Sequence, residues 1–178
     1  MSQQTTTFDE FFADHYDEVV RTLALAVGDR QRAEDAAQEA FAKAFRKWPA
    51  VGAMDRPVGW VIVVGMNQMK RWITRGEKHA AAVADIAPDP TEGVADATSL
   101  RAALERHKPR QRATVVLRYL CDLPTADVAQ ALGCSPGTVK SALHAGLANL
   151  RVDLADPPAA PPERTIPTPG EEVRDANR

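Results

Sequence analysis

The 178-residue chain has only two cysteines, Cys121 and Cys134, and neither has a second Cys or a His at metal-ligand spacing. That excludes a disulfide framework and a zinc module, and both read as small apolar residues of a reducing compartment. Aromatic residues amount to 6%. Alternating runs of Val, Ile, Thr and Tyr are scarce while alanine is abundant, which argues against sheet and for an all-α fold. Uninterrupted apolar runs are short, Val61 to Val64 among them, so nothing reads as a membrane span. The start MSQQTTTFDE lacks the basic residues and apolar core of a secretory signal, so a cytoplasmic chain without direct membrane insertion is expected. A positive excess is missing too. Lys and Arg number 22 against 24 Asp and Glu, for a net charge of −2, which excludes a histone-like basic binder.

What is present is a pattern that the net charge hides. Residues 8–45 carry four basic and nine acidic side chains, and residues 46–79 carry seven and two. Residues 80–100 hold four acids and no base, whereas residues 101–151 hold eight bases and three acids. Two basic blocks around an acidic stretch predict two modules that each touch a polyanion. The segment 79–98 mixes small residues with Pro88, Pro90 and Gly93, and is expected to be a flexible acidic linker. Six of the 13 prolines follow Asp156, so 153–178 is expected to be a proline-rich, disordered tail. The expected domains are therefore 1–78, a helical bundle, and 99–152, a helix-turn-helix.

In the first module Thr7 and Glu10 have capping-box spacing, and Phe8, Phe11, Phe12, Val19, Val20, Leu23 and Val27 recur at helical intervals up to Gly28. A second helix is expected from an Asp29 cap, with Ala33, Ala36, Ala37, Ala40, Phe41, Ala44, Phe45 and Trp48 on one stripe and Pro49 at its end. After a loop from Ala50 to Arg56, Pro57 opens a third helix with Val58, Val61, Ile62, Gly65, Met69 and Ile73 inward. Off these stripes lie two groups. Asp35, Gln38 and Glu39 share one face of the second helix as a compact acidic patch, which periodicity alone allows as a solvated face. Trp60, Asn67, Lys70, Arg71, Thr74 and Arg75 put an aromatic plane, an amide and cations on one side of the third. Such a surface suits unpaired bases that stack and phosphates that need cations, although a half-buried Trp beside a snorkelling basic face fits equally.

In the second module Leu104, Ala113, Val116, Leu117 and Leu120 mark two apolar stripes, with Pro109 opening the second helix and Asp122-Leu123-Pro124 turning the chain. Ala129, Gly133 and Val139 then fall at helix-turn-helix spacing: a small residue for close approach, a glycine for the turn, a plug for the second helix. Ser135 and Pro136 cap that second helix. Gly137, Thr138, Lys140, Ser141 and His144 face outward, where a major groove would lie, and Arg110, Arg112, Arg118 and Arg151 are candidate phosphate contacts. Scattered acids and four separated His residues show no acid–base pair or metal-ligand set. No catalytic residue, metal or cofactor is expected.

Taken together, residues 8–152 resemble the extracytoplasmic-function sigma factors of bacterial RNA polymerase. AEDAAQEAFAKAFRKW (33–48) is similar to the family's polymerase-binding helix, PVGWVIVVGMNQMKRW (57–72) to its promoter-melting helix, and LGCSPGTVKSALHAGLANLR (132–151) to its minus-thirty-five reader. The resemblance implies that Asp35, Gln38 and Glu39 dock on the clamp coiled coil of the largest polymerase subunit. It implies that Trp60, Asn67, Lys70, Arg71 and Arg75, with the Ala50–Arg56 loop, hold unstacked minus-ten bases, and that Thr138, Lys140, Ser141 and His144 read promoter duplex. It also implies core RNA polymerase, promoter DNA and an anti-sigma factor as partners.

Two departures stand out. Ala142 and Ala145 occupy recognition-helix positions where the family commonly has Arg, which bears on promoter choice, and Arg71 replaces an acidic residue, which makes that face more basic. A free-standing helix-turn-helix regulator and a sigma-like protein with degenerate promoter reading are the alternatives.

Overall fold

The computed structural model of the chain describes residues 7–75 and 94–155, the side chains of 71–75 and 94–98 excepted. Among the described residues the backbone forms eight α-helices and no strand. Helix α1 (Phe8–Val27) starts at the expected capping box: the Glu10 N–H donates to Thr7 Oγ1 at 3.3 Å, and the Thr7 N–H donates to Glu10 Oε2 at 2.8 Å. Those bonds hold the Glu10 carboxyl below its ordinary range, the Thr7 backbone N–H contributing most. Gly28, at φ 81°, ends α1 in the left-handed conformation. Asp29 then caps α2 (Arg30–Arg46) by accepting from the Arg32 N–H.

Alanine is what lets α2 lie close to its neighbours. Ala33, Ala36, Ala37, Ala40 and Ala44 are buried with Phe41 against α1 and α4 (Pro57–Arg75), whose inward residues are Val61, Ile62, Met66 and Met69. The stripe fails at its far end. Phe45 is 62% exposed, because α2 stops at Arg46 and the ring leans only on Phe8, at 5.0 Å between centroids. Phe12 is likewise exposed, and Trp48 is half-buried against Phe11. Pro49 does not open a loop at once: Trp48–Val51 makes a one-turn helix, α3, with the proline in its first turn.

Helix α5 (Val94–Glu105) begins inside the segment expected to be linker, and α8 (Pro136–Ala155) runs three residues into the expected tail. The rest of both segments, 76–93 and 156–178, lies outside the described residues. His107, buried, ties α5 to α8: Nδ1 faces the Ala103 carbonyl at 2.8 Å and Nε2 the Gly146 carbonyl at 2.9 Å. Helix α6 (Pro109–Val115) continues into a π-helical turn, Val116–Leu120. Its wider winding rotates Leu120 out of the apolar stripe, so Leu120 is exposed rather than inward.

Helices α7 (Thr125–Leu132) and α8 form the helix-turn-helix. Ala129 and Val139 are buried between them, Gly133 adopts φ 61° at the turn, and Ser135 Oγ accepts from the Thr138 N–H at 3.1 Å. The two modules do not hang apart. Helix α4 packs on α7, and α1 packs on α6 and on the π turn, so one apolar cluster runs through both.

Candidate functional site

Asp35, Gln38 and Glu39 are all exposed on the outer face of α2, since the buried alanines take the inner one. Glu39 pairs with Lys43 at 3.3 Å, and Asp35 and Glu39 rim a shallow cleft of about 270 Å³ with Arg32, Ala36, Gln68 and Met69. Exposed carboxylates around an apolar floor suit a basic, helical partner surface; ion pairs alone contribute little in water. Gln68 of α4 is a member of this rim that periodicity did not single out.

On α4 the expected residues come together only in part. Asn67 is exposed, whereas Trp60 and Lys70 are half-buried, and the side chains of Arg71 and Arg75 lie outside those described. Trp60 and Asn67 line a cleft of about 300 Å³ with Arg56 and Gly59, and its opposite wall is Leu123, Asp127 and Gln130 of the second module. The Lys70 stem lies on Gly133, so close that a Cβ there would come within 2.4 Å of Lys70 Cε. A glycine is required at this position twice over, by its positive φ and by the lysine.

The α8 face is open by contrast. Lys140, Ser141 and His144 are exposed and Thr138 is half-buried. Ala142 and Ala145 are half-buried at the edge of that face. Arg151 is exposed, while Arg118 is engaged by Asp122 at 2.9 Å and Arg110 has a buried, unpartnered Nε.

Residues 11–79 match the model of the family "Sigma-70 region 2", and residues 97–150 match "Sigma-70, region 4". The chain is 34% identical over 152 residues to RNA polymerase sigma-E factor of Streptomyces antibioticus, covering 83% of this chain and 84% of that one. It is 31% identical to ECF RNA polymerase sigma factor SigM of Mycobacterium tuberculosis, covering 75% of this chain and 70% of that one. The chain belongs to the extracytoplasmic-function sigma factors. The sigma factor shares its fold with RpoE of Bartonella quintana, solved in complex with the anti-sigma factor NepR: TM-score 0.61 and 19% identity, over 83% of this chain and 96% of that one. It is accordingly not an enzyme but an initiation factor that acts with core RNA polymerase and directs it to promoter DNA. Membership also sets aside the free-standing regulator.

One expected phosphate contact in the sigma factor is elsewhere. Arg112 is 8% exposed and faces inward, where its Nε donates to the Ala26 carbonyl at 3.2 Å and its Nη2 to the Val27 carbonyl. It neutralises the end of α1 instead of a phosphate, and Gly28 is needed beside it because a Cβ would lie 2.6 Å from the guanidinium. Burial lowers the Arg112 pKa from its ordinary value, yet an arginine stays charged at any working pH. Arg56 makes the companion contact, donating to the Asp122 carbonyl at 2.8 Å and the Cys121 carbonyl at 3.0 Å. Asp122 presents that carbonyl from the left-handed conformation, φ 46°, and Cys121 is half-buried beside Thr22 of α1. Desolvation pushes the Cys121 thiol up to about 12. No spacing rule points to Arg56, Asp122 or Cys121; their partners are backbone carbonyls or belong to the other module.

Proposed function

We propose that the two modules divide promoter recognition as follows. Residues 1–78 grip core polymerase and take the melted minus-ten strand, and residues 99–152 read the minus-thirty-five duplex. Asp35, Gln38 and Glu39 dock on the clamp coiled coil of the largest subunit. Trp60 stacks on an extruded base, Asn67 reads its edge, and Lys70 with Arg71 and Arg75 holds the flanking phosphates. Thr138, Lys140, Ser141 and His144 contact base edges and Arg110, Arg118 and Arg151 the backbone, with Arg112 withdrawn from that set. The observation that carries this reading is that the α2 acids and the α8 polar face are both clear of the contact between modules. Polymerase and duplex can engage them without competing.

Tethering two weak DNA contacts on polymerase raises their effective concentration, which suits modules that are only modestly basic. An anti-sigma factor is proposed as a third partner, on the strength of family membership. The cytoplasm, at the nucleoid with polymerase, is the proposed location.

The test is binding of the full chain to bacterial core polymerase beside an Asp35→Lys/Glu39→Lys variant, followed by promoter-dependent transcription. The variant is expected to bind at least about tenfold more weakly, a loss of about 1.4 kcal/mol, and to lose initiation in parallel. Equal binding by a folded variant would remove the α2 face from the interface. Polymerase binding without initiation at any promoter would favour degenerate promoter reading.

A further inference from the structure

The cleft that holds Trp60 and Asn67 has the wrong chemistry for a nucleic acid as it stands. Its second wall is α7, which contributes Asp127 and Gln130, and Asp55 lies on the near side. Two carboxylates in a narrow cleft repel a phosphodiester, and Lys70, the nearest proposed phosphate ligand, has its stem against the turn at Gly133. A strand cannot reach these residues until α7 moves.

What holds α7 in place is mainly polar. Two arginines, one from each module, each donate two hydrogen bonds to backbone carbonyls of the other: Arg112 to Ala26 and Val27, Arg56 to Cys121 and Asp122. Leu123 adds an apolar wedge, with a methyl group 3.2 Å from where a Gly59 Cβ would be. Carbonyls at a helix end and in a turn are readily rehydrated, so separating the modules leaves them satisfied by water. Such a contact opens and closes, unlike a continuous apolar core.

From this, and resting on the minus-ten role proposed for α4, we infer that the free sigma factor masks its own promoter-melting surface. The helix-turn-helix is the mask, and Arg56 and Arg112 are the latch. Binding of core polymerase through the uncovered α2 face is compatible with the closed form, and release of the latch then exposes Trp60, Asn67 and Lys70 for the strand. Until release, apparent affinity for single strands is reduced by the fraction of molecules that are open.

The experiment uses the full chain in a Cys134→Ser background, where Cys121 reports on the contact between modules. Two latch variants, Arg112→Met and Arg56→Ala, are compared with the parent for the iodoacetamide alkylation rate of Cys121 and for binding to a fluorescein-labelled pool of random single-stranded 15-mers. Arg56 is exposed, so its variant tests the latch even if the buried Arg112→Met chain fails to fold. Losing charge-assisted bonds is expected to speed alkylation about tenfold in a chain of unchanged helicity. Strand binding is expected to strengthen about fivefold even though a positive charge has been removed, which is opposite in sign to the loss expected of an ordinary phosphate contact. Alkylation as fast in the parent as in the variants, or strand binding that weakens or stays level, would overturn the mask. The same preparations are assayed for core polymerase binding. Its absence from every chain strikes at the proposed polymerase site alone, while thiol and strand readouts still decide the mask.

Discussion

Helices α4 and α8 are of similar length and both present a lysine among polar side chains, yet they differ in what covers them. The outward face of α8 is open, with Lys140, Ser141 and His144 exposed, whereas α4 lies under α7 and has its lysine stem pressed on a turn. In the minus-ten and minus-thirty-five assignment, the contact to intact duplex is available at rest and the contact to the melted strand is not. That order matches the chemistry. A single-stranded site left open would bind stray nucleic acid by charge and stacking alone, while a duplex reader is selective through base edges.

The comparison breaks most completely if the wedge is removed. Leu123→Ala is expected to lose about 2–5 kcal/mol of folding stability, because the side chain is buried and neither module alone can close the gap; chemical denaturation measures it, and a loss confined to a few tenths would show that the modules barely support one another. Two glycines sharpen the contrast. Gly133→Ala is expected to cost at least about 1 kcal/mol through its positive φ and must push Lys70 aside, whereas Gly137→Ala, which meets only Ser135 Oγ at 3.7 Å, is expected to be neutral or stabilising by up to about 1 kcal/mol. Thermal midpoints of the two chains should therefore move in opposite directions or by clearly unequal amounts.

Cys121 provides a pH handle on the same contact. Burial raises its thiol from the ordinary 9.0 to about 12, so above pH 9 the unfolded chain has released a proton that the folded chain still holds. Stability is then expected to fall as pH rises from 9 towards 12, and a Cys121→Ala chain should lack that component of the slope. Denaturation at pH 8 and pH 10 reads the difference. The smallest expected effect belongs to Lys70→Ala, which should leave single-strand binding within about twofold in the latched chain but weaken it and flatten its salt dependence in the Arg112→Met chain, the slope dropping by roughly one. An equal loss in both chains would mean that Lys70 is available without release.

Much of the fold was legible because its signals are local. The Thr7–Glu10 box, the Gly28 stop, the Asp29 cap and the Ala129, Gly133, Val139 spacing each bring a residue type to a backbone position that needs it. The α2 acids and the α8 polar face were legible as outward positions of amphipathic helices, although their roles rest on resemblance. The contact between modules was not legible. Arg112 reaches a carbonyl 86 positions away and Arg56 one 66 positions away, and since every residue has a carbonyl, no pattern announces the partner. In one dimension Arg112 is indistinguishable from Arg110 or Arg118, each an arginine on a basic stretch. Leu120 was misplaced for a different reason: a 3.6-residue period was extended through Val116–Leu120, where the winding is wider.

That wider turn amounts to one surplus residue in an otherwise α-helical stretch, the trace that a single-residue insertion leaves in a helix. Excising one residue from it would restore ordinary winding and rotate everything downstream by about 100°, carrying the Asp122 carbonyl away from Arg56. A self-restrained initiation factor and a constitutively open one are thus neighbours in mutational space, separated by a single in-frame codon.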